Sequence, residues 1–149
     1  MKLFFLIILS IFSTSSINNS NTSSEINNFD LEGVWDLKHQ FLYDDHNEVS
    51  DTILNPNGYR QVKMYSKGKV MWTRFDPADS NEWFGYGTYS IKGNILEERL
   101  EYASGPMMEI VDTTQVFKFE LILDKKSYQQ ITIDENGHYS QSENYTKVE

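Results

Sequence analysis

From Leu31 onward, apolar and polar residues alternate with period two, and turn signals recur at regular intervals. Residues 31–43 read as a first strand, with Trp35, Leu37, His39 and Phe41 on one face and Asp36, Lys38 and Gln40 on the other. A loop rich in Asp and Asn follows and closes on Asn55-Pro56-Asn57-Gly58. Further strands are expected over 59–66, 69–75, 83–91, 95–103, 113–123, 127–133 and 138–146. The clearest is 113–123, where Phe117, Phe119, Leu121 and Leu123 share a face and Lys118 and Glu120 take the other. Lys67-Gly68, Lys92-Gly93-Asn94, Lys125-Lys126 and Glu135-Asn136-Gly137 supply the turns. Residues 104–112, with Gly105-Pro106, break the pattern, and no long stretch has a helical period with caps.

About eight strands joined by short connections cannot form a parallel sheet, which needs long crossovers. The fold class is therefore all-β: an antiparallel up-and-down barrel, whose closure removes exposed edges. A two-sheet sandwich is the alternative. Eight strands enclose an interior that side chains fill or that holds one small ligand. Which residues face inward depends on register, because a one-residue slip exchanges the two faces.

The alternation does not extend to the start of the chain. Met1-Lys2, the ten-residue apolar run from Leu3 to Phe12 and Ser13-Thr14-Ser15-Ser16 have the three-part layout of a secretory signal peptide. The run is half of the roughly 20 apolar residues a spanning helix needs, so no stable membrane insertion is expected after cleavage. Residues 1–16 are read as the leader, cut after Ser15 or Ser16. Residues 17–29, rich in Asn and Ser, are read as a disordered polar linker, and 30–149 as one barrel domain. The expected location is secreted or periplasmic.

Charge and cysteine content narrow the function. The net charge is −9, and removing the leader leaves 12 basic against 22 acidic side chains. Such a chain repels nucleic-acid phosphate and anionic lipid, so no nucleic-acid partner is expected. With no cysteine, disulfides, thiolate metal sites and a Cys nucleophile are excluded. The core must hold the domain alone, and nine Phe, nine Tyr and three Trp provide the material.

Leu31-Glu32-Gly33-Val34-Trp35 resembles the lipocalin opening, in which a Gly-x-Trp begins strand one and the Trp plugs the closed end of the barrel. Three further segments, Val70-Met71-Trp72-Thr73-Arg74-Phe75-Asp76-Pro77, Gly85-Tyr86-Gly87-Thr88-Tyr89 and Leu100-Glu101-Tyr102-Ala103, resemble secreted lipocalin-like domains of Bacteroidetes, including the DUF4488 type. Tyr86 between the two glycines departs from that pattern, and no C-terminal helix follows the last strand. The resemblance spans roughly residues 31–146 and implies an extracytoplasmic barrel with an internal cavity.

No nucleophile elbow, zinc-protease motif, phosphate loop or dinucleotide fingerprint is present, so no catalytic residue, cofactor or metal is assigned. Glu97, Glu98 and Glu101 have no spacing that singles out a glycosidase pair. The stretch Asp44 to Glu48 around His46 lacks a calcium-loop pattern and reads as a solvated charge run. Gly85 and Gly87 strip one strand face bare, leaving room for a ligand, a bend or a neighbour's aromatic ring. Leu96, Glu98, Leu100 and Tyr102 share a face, which points Glu98 inward. A buried carboxylate needs a partner, and Arg74 is the candidate, unless Glu98 reaches water at the barrel mouth.

The expected function is to bind a small apolar or amphipathic ligand within the barrel. Trp72, Arg74, Tyr86, Glu98, Tyr102, Phe119, His39 and Tyr145 are the candidate contacts. Arg74 would pair with an anionic head group or with Glu98. The alternative is a non-catalytic interaction module with a filled barrel, using the stretches 44–58 and 104–112.

Overall fold

The computed structural model describes residues 30–148; the expected leader and linker lie outside the described residues. Within them the chain forms nine strands and one short helix: β1 Gly33–Tyr43, β2 Val49–Leu54, β3 Arg60–Ser66, β4 Lys69–Phe75, β5 Trp83–Lys92, β6 Ile95–Ala103, α1 Gly105–Val111, β7 Phe117–Leu123, β8 Ser127–Ile133 and β9 Tyr139–Lys147. All neighbours pair antiparallel, and β1 pairs with β9, closing the sheet into a ring. The barrel expected from the alternation is therefore present, with one strand more.

The additional strand is β2, in the stretch read as a loop. All six of its residues are exposed, so it has no buried face and no period-two signal. It forms because β1 is long enough for two partners on one edge. Residues 33–36 of β1 pair with β3, and residues from His39 onward pair with β2. Asn55 sits at the changeover and donates its side-chain amide to the Leu37 carbonyl at 2.9 Å. The second revision is residues 105–111, a single helical stretch with Pro106 in its first turn and Met107 buried. Seven residues are too few to show a helical period. Residues 113–116, expected to begin a strand, lead from the helix into β7.

The two ends of the barrel differ. At one end the connections are tight: Lys67 (φ 48°) and Gly68 (φ 75°) take the left-handed conformations that a two-residue hairpin requires. This end is plugged by Trp35, fully buried, whose indole N–H donates to the Leu31 carbonyl at 2.8 Å. Tyr65, Val70, Leu96, Leu121, Tyr128 and Tyr145 pack around it. Tyr128 stacks on Tyr145 with ring centroids 4.9 Å from Trp35 and 4.7 Å from Tyr145. At the other end lie the longer connections, including α1.

Two bulges decide which residues face inward. In β1 the register shifts at Lys38, so Leu37 opposes Tyr145 but His39 opposes Asn144 and Gln40 opposes Glu143. Glu143 faces the interior, so His39 faces out, with its ring 4.7 Å from Phe41. In β6 the shift at Glu101 places Leu100 opposite Gly87 and Tyr102 opposite Tyr86. Tyr102 is turned outward, 55% exposed, and its ring lies 5.2 Å from that of Tyr86. The pairings align Val34, Met64, Met71, Tyr86 and Tyr102 in one outward row across five strands.

The two glycines of β5 have separate reasons. A Cβ on Gly85 would lie 2.7 Å from the Trp72 indole nitrogen, so Gly85 is bare to admit that ring. A Cβ on Gly87 would run into the Arg99 carbonyl oxygen and the Leu100 backbone, so Gly87 allows the close strand approach beside the bulge. Gly87→Ala is expected to destabilise the fold by about 3 kcal/mol, through backbone displacement. Gly105→Ala, where a Cβ meets open space, should stay within about 0.5 kcal/mol of the parent. Urea denaturation of the two variants measures the contrast.

Candidate ligand-binding site

Inside the barrel, side chains succeed one another in layers from the plugged end to the open end. On β3 the inward residues are Tyr65, then Lys63, then Gln61; on β6 they are Leu96, Glu98 and Leu100. The base is apolar and packed, the middle layer is polar, and above it lies a cavity of about 390 Å³. Its walls are Trp72, Leu100, Phe117 and Phe119, and its floor is Gln61, Lys63, Glu98, Gln130 and Glu143. Arg74 and Trp83 stand at the rim, and Met107 and Ile110 bring α1 to the same opening.

The floor is one connected network. Lys63, almost wholly buried, places its ammonium 3.0 and 3.1 Å from the two Glu98 oxygens and 3.0 Å from the Gln130 side-chain oxygen. Tyr65 donates its hydroxyl to Glu98 at 2.5 Å. Gln130 donates to Glu143 at 2.8 Å, and Glu143 also accepts from Gln61 at 3.0 Å and from the Tyr145 hydroxyl at 2.7 Å. Buried charges are tolerated when paired and surrounded by further hydrogen bonds, and both conditions hold here. Burial pushes the Tyr65 and Tyr145 phenols well above their ordinary value, reinforced by the Glu98 and Glu143 charges respectively. Tyr128, in the packed base, is raised by burial in the same way.

The rim is built differently. Arg74 lies opposite Trp83 in the β4–β5 ladder and stacks on its indole at 4.2 Å. Trp83 donates its indole N–H to Asp79 at 2.7 Å, and Asn81 donates both its backbone and side-chain amides to the same carboxylate. The Asn81 backbone N–H, followed by Trp83, holds the Asp79 carboxyl below the usual carboxylate range. Arg74 Nη2 lies 3.8 Å from Asp79, and its buried Nε has no hydrogen-bond partner.

Of the residues picked from the sequence, Trp72, Arg74, Glu98 and Phe119 line the cavity, and Tyr145 lies just beneath its floor. Tyr86, Tyr102 and His39 face outward and are withdrawn as pocket residues, the last two because of the bulges. The Arg74–Glu98 pairing is also corrected: Glu98 is held by Lys63 and Tyr65, and Arg74 faces Asp79. The sequence reading missed Lys63, Gln61, Gln130 and Glu143. On β3 the apolar Val62 and Met64 point outward, which inverts the ordinary rule and hides the inward Gln61 and Lys63. The alternation Tyr59, Gln61, Lys63, Tyr65 was the available signal. The acidic stretch around His46 is a turn in which Asp44 accepts the His46 and Glu48 backbone N–H groups, each at 2.9 Å.

Lys63→Met leaves Glu98 buried without its counter-charge and is expected to lower stability by about 3–5 kcal/mol. Lys63→Met combined with Glu98→Gln should cost less than the summed single changes, and a double-mutant cycle in urea reads the difference. The raised phenols make a second prediction. A folded pKa above the unfolded value near 10 keeps stability intact below pH 10 and removes it as pH rises further. Spectrophotometric titration at rising pH should show Tyr65, Tyr128 and Tyr145 ionising only as the protein unfolds.

No protein-family model matches the chain, and no curated protein does. Solved structures do. An uncharacterised protein from Bacteroides eggerthii aligns over 80% of this chain and 100% of its own, with 18% identity and a TM-score of 0.54. A lipocalin-like protein from Bacteroides uniformis aligns over 79% of this chain and 98% of its own, with 16% identity and a TM-score of 0.53. At these identities the likeness is one of fold, and the barrel with its plugged base and open mouth is lipocalin-like.

Proposed function

We propose that the chain is an exported, non-catalytic binding protein that holds one small apolar or amphipathic ligand in the upper half of its barrel. The observation that carries this reading is the 390 Å³ cavity between aromatic walls and a hydrogen-bonded floor. Small-molecule sites commonly measure about 300–1,000 Å³, with mostly apolar linings and a few placed polar groups. A filled barrel acting through its loops fits less well. The same cavity would lack an occupant, and Met107, one of the loop residues that reading relied on, is buried. Export to a secreted or periplasmic location rests on the leader-like first 16 residues, and the DUF4488-type kinship on the Trp72-x-Arg74 and Gly85 to Tyr89 segments.

Native mass spectrometry of the purified protein, before and after denaturation, tests the reading. A small molecule released at one per chain is expected, and its mass gives the ligand class. A binder at about 100 times its Kd adds close to 2.7 kcal/mol, which raises the melting temperature by several degrees. A bare chain whose melting point also ignores a panel of fatty acids, aromatic acids and neutral aromatics would remove the cavity reading.

A further inference from the structure

We infer, on the basis of the cavity reading above, that the ligand is a carboxylate whose head group is held at the mouth by the forked edge of Arg74. The argument is an accounting of polar groups around the cavity. On the floor, Lys63 is engaged by Glu98 and Gln130, Glu98 by Lys63 and Tyr65, and Glu143 by Gln61, Gln130 and Tyr145. These groups satisfy one another and need no ligand.

Among the buried polar atoms of the described residues that line the cavity, Arg74 Nε is the one left without a hydrogen-bond partner, although the guanidinium also meets the Tyr59 hydroxyl. Arg74 Nη2 is 3.8 Å from Asp79, beyond hydrogen-bond distance. Asp79 is occupied by the Trp83 indole and by Asn81 at 2.7–2.9 Å. The sequence left Arg74 two partners, Glu98 or an anion from outside, and the structure removes Glu98. An unmet buried donor is costly, so an acceptor bound at this position recovers free energy. Among the described residues, the other buried side-chain atom without a hydrogen-bond partner, the Tyr128 hydroxyl, belongs to the packed base and does not line the cavity.

Geometry favours a carboxylate as that acceptor. The guanidinium is already held over Trp83, its central carbon 4.2 Å from the ring centroid. A planar fork matches two carboxylate oxygens with parallel, charge-assisted hydrogen bonds. The body of the ligand then lies against Trp72, Phe117 and Phe119, and the cavity limits it to a modest aromatic or aliphatic skeleton.

Calorimetric titration of the folded protein with 2-naphthoate, 2-naphthamide and 2-naphthyl phosphate tests this, using the parent, Arg74→Met and Arg74→Lys. The expected result is naphthoate binding at least about tenfold more tightly than the amide. Arg74→Met should bring the naphthoate-to-naphthamide affinity ratio down to about one, and Arg74→Lys should restore only part of the preference. Circular dichroism and melting confirm that each variant is folded. Equal affinities in the parent, or a preference that survives Arg74→Met, would overturn the head-group assignment and leave the cavity intact. Tighter binding of the phosphate would overturn the choice of carboxylate. Binding of none of the three would overturn the cavity reading, and this inference with it.

Discussion

The buried Lys63–Glu98 pair is the interaction on which the interior is organised. The two side chains lie 35 positions apart and meet at 3.0 Å in a space almost closed to solvent. Neither charge could occupy that depth alone, so the pair demands that β3 and β6 keep their registers together. Gln130 from β8 and Glu143 from β9 extend the same demand around the ring. The polar layer therefore separates two regimes. Below it aromatic rings and aliphatic side chains pack around Trp35, and above it the barrel is hollow.

The asymmetry of the connections follows the same division. Tight hairpins close the plugged end. The longer connections gather at the mouth, and two of them are built alike. Asp44 and Asp134 each accept two backbone N–H groups within their own turns, and each turn closes with a residue in the left-handed region, Asn47 or Gly137. The Asn47 side chain then accepts the Tyr139 N–H at 2.7 Å and ties the two turns together. Part of the acidic excess of the chain thus caps backbone at the rim. Those carboxylates are engaged in shaping the mouth, whereas Arg74 keeps an unmet donor beside it.

Much of this was readable before the structure. The strand at Phe117, Phe119, Leu121 and Leu123 announced itself because these apolar residues alternate with Lys118 and Glu120. Gly33-x-Trp35 marked the plug, and Lys67-Gly68 marked a hairpin whose backbone angles are those the pair permits. Strand β2 was unreadable because it buries neither face, and α1 because seven residues cannot display a period. Four cavity-lining side chains, Trp72, Arg74, Glu98 and Phe119, were legible from alternation and from the oddity of an inward charge. His39 and Tyr102 misled because alternation was carried past a bulge, and Tyr86 because the bare glycine face was counted with its occupied one.

The sequence by itself determined the all-β class, eight of the nine strands and their turns. These depend on local alternation and on the backbone freedom of particular residues, which are written in consecutive positions; the plug came from the resemblance of Gly33-x-Trp35 to a lipocalin opening. Only the tertiary structure decided the partner of Glu98, the direction of His39 and Tyr102, and the depth at which the interior becomes hollow. A single extra residue at Lys38 or Glu101 reverses the faces beyond it, and the residue that neutralises a buried charge comes from a distant strand. Both are properties of register around a closed ring, and register is set by all the strands at once.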